Sequence, residues 1–152
     1  MALLERLGAS HVIAAGPEGN FADAVAAATG GRGADLVIDH VGGPWLAETL
    51  RCAAPYARIV NIGRLGDGKG ELDLDALALK RARVIGSTFR IRDEEEIGRV
   101  VADLRAELGS ALAAGELRPL LDSSFPIEQV EAAQERMARD DHLGKIVLEL
   151  SS

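Results

Sequence analysis

Apolar positions in this chain come mostly in short runs, punctuated by glycine and flanked by segments at helical spacing. Residues 2–7 read as the last turns of a helix stopped by Gly8. Residues 11–14 are a short apolar run, predicted as a strand. Asn20 is placed to cap a helix whose apolar face is Phe21, Ala24, Val25 and Ala28, closed by Gly30 and Gly31. Residues 34–39 read as a buried strand. Pro44 opens a helix in which Leu46 and Leu50 lie one turn apart. A strand at 58–62, a glycine-rich loop at 63–70, a short helix at 74–80 and a strand at 84–88 follow.

Strand and helix alternate up to Thr88. The strands are continuous apolar runs, the pattern of parallel strands covered on both faces, so the fold class is α/β with a doubly wound parallel sheet. Beyond Thr88 the alternation stops. Asp93 caps the longest helix, with Glu96 three residues on, and Ile97, Val100, Val101, Leu104 and Leu108 form its apolar stripe up to Gly115. Residues 117–121 are strand-like, with Pro119 marking an edge or irregular strand. A second amphipathic helix carries Ile127, Val130, Ala133 and Met137, and residues 145–150 form a closing strand.

Composition narrows the function classes. The net charge of −7 and an aromatic content of 3% argue against nucleic acid and anionic membrane surfaces as partners. Cys52 is the one cysteine and has no disulfide partner in the chain, which fits a reducing compartment. No apolar run approaches a membrane span, and the first residues do not read as a signal peptide, so the expectation is a cytoplasmic protein.

Most chemical motifs fail on inspection. Residues 63–69 match G-x-x-x-x-G-K, but Gly70 stands where a phosphate loop needs a magnesium-binding hydroxyl, so a surface loop is expected. G-x-G-x-x-G is absent. His11, His40 and His142 are scattered, and no metal site is expected. One constellation remains: two predicted strands end in Asp39-His40-Val41-Gly42-Gly43 and Asn61-Ile62-Gly63-Arg64. Ligands of doubly wound sheets lie outside the carboxyl ends of the strands, and glycine there allows close backbone approach to a ligand.

These segments, together with those at 7–13, 29–43, 58–63, 79–90, 115–119 and 141–148, resemble the medium-chain dehydrogenase/reductase superfamily, which includes zinc-binding dehydrogenases, and in particular its NADPH-dependent quinone oxidoreductase branch. The resemblance implies that residues 1–88 are the back part of a Rossmann-type cofactor domain. Residues 89–152 would be the segment that returns to the catalytic domain. On that reading the chain is the C-terminal half of such an enzyme. It implies NADPH as cofactor and hydride transfer to a quinone or enone. The implied cofactor contacts are His40, Val41, Gly42, Gly43, Ile62, Gly63, Arg64, Phe89, Arg90 and Lys145, with no metal. It also implies a homodimer joined through the strand that opens on Arg83 and closes on Thr88. Two alternatives stand beside this: a non-catalytic dimerisation or binding module, and an enoyl-reductase piece of a larger synthase.

Overall fold

The structure is a computed structural model that describes residues 2–16 and 19–150. It forms two compact units, divided between Ile91 and Arg92.

The first unit opens with α1 (Ala2–Arg6) and α2 (Ala22–Ala28). The strand β1 (Ala34–Asp39) follows, then a 3-10 turn (Gly43–Trp45) with Pro44 in its first turn, and α3 (Leu46–Cys52). β2 (Ala53–Asn61), α4 (Leu74–Lys80) and β3 (Arg83–Gly86) complete it. The sheet is parallel throughout, in the order β1-β2-β3. Its core is Leu50, Ala53, Ala57 and Ile59, packed by Val37, Leu72, Ala76, Leu77 and Ala82. The alanines keep α3 and α4 close to the sheet, while Leu50 and Ile59 supply the large fully buried side chains. Each of those two contributes about 1.5–3 kcal/mol by burial. Asp73 caps α4 by accepting from the Ala76 N–H at 2.9 Å. The Lys80 ammonium closes α3 from the other side, donating to the carbonyls of Leu50, Arg51 and Ala53 at 2.6–2.8 Å.

The second unit holds α5 (Glu94–Ala113), β4 (Leu121–Pro126), α6 (Val130–Ala138) and β5 (Lys145–Glu149). β4 and β5 pair in parallel and α6 packs on both. Asp93 caps α5 as expected, accepting from the Glu96 N–H at 2.8 Å. The Glu96 carboxylate meets Arg92 at 2.5 Å.

Several expectations are corrected. Residues 11–14 form no strand: among the described residues no ladder partner lies beside them, and an apolar run without one is not a strand. Asn20 does not cap α2. Glu48 does so from 26 residues away, its Oε1 accepting from Phe21 N–H (3.1 Å) and Ala22 N–H (2.8 Å), which with Arg51 holds its carboxyl below the usual range. The covered face of α2 is accordingly Ala22, Val25 and Ala26, not Ala24 and Ala28. β1 is only partly buried, with Leu36 48% and Ile38 50% exposed. The strand expected at 117–121 begins where it was to end, because Pro119 has no N–H to give a ladder.

Candidate functional site

The carboxyl ends of β1 and β2 are tied together by one carboxylate. Asp39 is buried as the last residue of β1. Its Oδ1 accepts from the Val41 and Gly42 N–H groups at 2.9 and 3.0 Å, and its Oδ2 accepts from the Asn61 side-chain amide at 2.9 Å. That amide also donates to the Gly63 carbonyl at 2.8 Å. The two loops then zip along their backbones. Leu65 N–H donates to His40 O at 3.1 Å, Gly66 N–H to Val41 O at 2.9 Å, and Gly43 N–H to Asp67 O at 3.0 Å.

The glycines also pack the two loops against each other. A Cβ on Gly63 would stand 2.6 Å from the His40 carbonyl oxygen. One on Gly42 would stand 2.6 Å from that of Asp67. Gly42 also has φ +86°. These residues let one loop touch the other, so the 63–70 segment is a surface loop, as expected, braced as a wall against residues 40–43.

Two cavities open beside that wall. One, of about 400 Å³, is lined by Asp39, Gly42, Gly43, Asn61, Arg64 and Lys69 among others. The other, of about 470 Å³, is lined by Ile62, Arg64, Ser87, Thr88, Phe89 and Arg90. Arg64 belongs to both, and its guanidinium reaches the Ser87 carbonyl at 3.4 Å.

Of the expected contacts, Gly42, Gly43 and Arg64 line the first cavity, and Ile62, Arg64, Phe89 and Arg90 the second. His40 and Val41 line a third cavity, of about 330 Å³, with Ile13, Phe21 and Trp45. Gly63 braces the wall. Lys145 is the exposed first residue of β5, in the second unit. Asp39, Asn61, Lys69, Ser87 and Thr88 were not among the expected contacts. A polar residue closing each of two apolar runs was the available signal for Asp39 and Asn61.

A family model described as zinc-binding dehydrogenase matches residues 7–148. The chain belongs to that family. Among curated relatives, a highly reducing polyketide synthase of Penicillium oxalicum is 33% identical over 131 residues, covering 86% of this chain and 5% of the relative. Mycoketide-CoA synthase of Mycobacterium tuberculosis is 31% identical over 129 residues, covering 84% and 3%. A solved Sinorhizobium meliloti structure, named as an alcohol dehydrogenase, is 30% identical with a TM-score of 0.78, covering 97% of this chain and 40% of that one. The fold is shared with CurK enoyl reductase, at 24% identity and a TM-score of 0.73, covering 99% and 44%. These likenesses make the α/β architecture Rossmann-like. The chain thus spans about 40% of the solved relatives and a few per cent of the curated ones.

The family name implies zinc, and the described residues do not fit it: no three His, Cys, Asp or Glu side chains converge among them. Cys52 is buried with its thiol donating to the Thr49 carbonyl at 3.2 Å, and burial pushes its pKa up, away from thiolate chemistry. A nicotinamide cofactor fits better. The two cavities offer polar side chains and the cations Arg64, Lys69 and Arg90, with the carboxylates Asp39 and Asp67 also lining the first. Among the described residues no helix is long and apolar enough to cross a membrane.

Proposed function

We propose that this chain supplies the nicotinamide-side wall of an NAD(P)H-dependent reductase acting on an enone or enoyl thioester. The observation that carries the reading is the braced pair of loops at the carboxyl ends of β1 and β2, in a chain of this family. When bound, the reduced nicotinamide supplies a hydride. The chain's own residues orient and shield it. Asp39 and Asn61 hold the loop wall at fixed depth, Phe89 offers an apolar face at the cavity, and Arg64 and Arg90 set positive charge where phosphate or carboxylate oxygens would lie. Lys145, in the second unit, is kept among the proposed contacts by the family resemblance alone.

The names of the relatives, highly reducing polyketide synthases and an enoyl reductase, support a conjugated carbon–carbon double bond over a quinone as acceptor. They also support an enoyl-reductase piece of a larger synthase as the setting. We infer the domain boundary near residue 88, NADPH over NADH, and self-association along the edge of β3, the outer strand of its sheet.

NADPH titration followed by its fluorescence tests the proposal. The chain has no G-x-G-x-x-G turn to hold a pyrophosphate, so binding is expected to be weak, with Kd of millimolar order, about −4 kcal/mol. Arg64→Ala weakens it further. No saturable binding, or binding indifferent to Arg64→Ala, contradicts the proposal. Micromolar binding with turnover of crotonyl thioester above about 1 per second contradicts a partial crevice.

A further inference from the structure

In a chain with 24 carboxylates, none lies between Thr49 and Gly66 or between Ala76 and Arg92. Those two segments contain β2 and β3, which are neighbours in the sheet. Arg58 and Arg83 are direct partners in the β2–β3 register, both exposed, with Leu36 of β1 in the same rung. Like charges placed side by side in a ladder destabilise it unless something neutralises them. Among the described residues no carboxylate pairs with Arg58, Arg81 or Arg83. Arg32 and Arg51, elsewhere in this unit, are both paired.

A second observation falls at the same place. β2 bulges between its pairings with Ala34 and Leu36, and Tyr56 within the bulge has φ +65° and is 62% exposed. Arg81 ends α4 at φ +50° and stacks over the Tyr56 ring, 4.2 Å from its centre. Two non-glycine residues in the left-handed region are therefore held against each other at the surface. Such backbone persists only where its surroundings over-determine it, and it clusters at functional surfaces. The adjoining rung, Ile38, Val60 and Ile85, is apolar, with Ile38 50% and Ile85 40% exposed. Tyrosine, arginine and a flanking apolar strip are the composition of a protein-binding hot spot.

We propose that this face of the sheet docks a carboxylate-bearing segment of a protein partner, with Arg58, Arg81 and Arg83 meeting the carboxylates and Ile38, Val60 and Ile85 meeting apolar side chains beside them. The site stands apart from the cofactor cavities, whose linings include none of the three arginines. A polypeptide fits better than a nucleic acid. The apolar rung beside the arginines has no use against an extended polyphosphate, whereas a polypeptide can set apolar side chains on it.

The test uses a short fluorescein-labelled peptide of alternating glutamate and leucine and the intact chain, read by anisotropy. Saturable binding is expected. It should weaken about tenfold or more in R58Q/R83Q. It should also weaken when salt rises from about 0.01 M to about 0.15 M, which shortens the Debye length from about 30 Å to about 8 Å. R32Q, an exposed arginine elsewhere in the unit, should bind as the parent does. In the unaltered chain, the same peptide should shield Arg58 and Arg83 from phenylglyoxal, read by mass spectrometry. This keeps the test open if the double variant fails to fold. Absence of binding, equal weakening by R32Q, or modification of Arg58 and Arg83 unaffected by the peptide overturns the proposal. So does tighter binding of a single-stranded oligonucleotide through the same arginines.

Discussion

The two units are held together by different physics. The first has an apolar interior, in which Leu50, Ala54, Ala57 and Ile59 are each no more than 1% exposed. The second buries Ala133 alone among its described hydrophobic residues, and no residue of its longest helix, α5, is buried. Its fastening is polar. Arg136 on α6 grips Asp122 on β4 through two bonds, of 2.9 and 3.1 Å, and also pairs with Asp141. Asp122 in turn accepts from the Leu143 N–H at 2.9 Å. An apolar core resists pH and salt, whereas a charged clasp answers to pH. The candidate cofactor wall is thus built on the unit that is stable by burial, which suits a site whose loops must hold fixed positions.

The largest effect is expected from Ile59→Ala. It opens a cavity in the first unit and should cost about 2–5 kcal/mol. Urea unfolding followed by the fluorescence of Trp45, the chain's one tryptophan, measures it. A loss below about 1 kcal/mol would mean that burial does not dominate there. Lys80→Met removes the ammonium from three carbonyls and should cost about 1.5–3 kcal/mol by the same probe.

Acid should separate the units next. The Arg136 guanidinium, followed by the Leu143 N–H, holds the Asp122 carboxyl far below the usual carboxylate range. A carboxyl whose pKa is lower when folded stabilises the fold above its unfolded value, about 3.9, and loses that contribution as pH falls through the lowered one. Amide exchange in β4 and β5 should therefore quicken as pH drops below about 4, after correction for intrinsic exchange, sooner than in β1 and β2. Asp122→Asn should abolish that difference. Equal acid sensitivity in both units would break the comparison. The smallest effect belongs to Leu104→Ala on the uncovered stripe of α5. With Leu104 46% exposed, the change in stability should stay within about 0.5 kcal/mol, measured by thermal unfolding.

Local features were readable in the sequence, and long-range ones were not. Residues 34–39 form the strand expected there, and Asp93 caps its helix, because each depends on neighbours a few residues away. The cap of α2 comes from Glu48, whose role depends on how α2 meets α3, so nothing near Asn20 signals it. Burial of β1 was overcalled because an apolar run does not say whether both faces find a cover. At the site, the paired strand ends were legible as a place. The Asp39–Asn61 tie was not, since it joins residues 22 apart, nor was the packing of Gly42 and Gly63 against carbonyls of the facing loop.

The central claim is that NADPH meets this chain along the wall formed by Gly42, Gly63, Arg64, Phe89 and Arg90. Amide chemical-shift mapping of the isotopically labelled chain during NADPH titration tests it most directly. The account predicts that the largest shifts fall on residues 40–43, 62–64 and 87–90. Shifts centred on the second unit, or none there or at the wall with saturating cofactor, would contradict it.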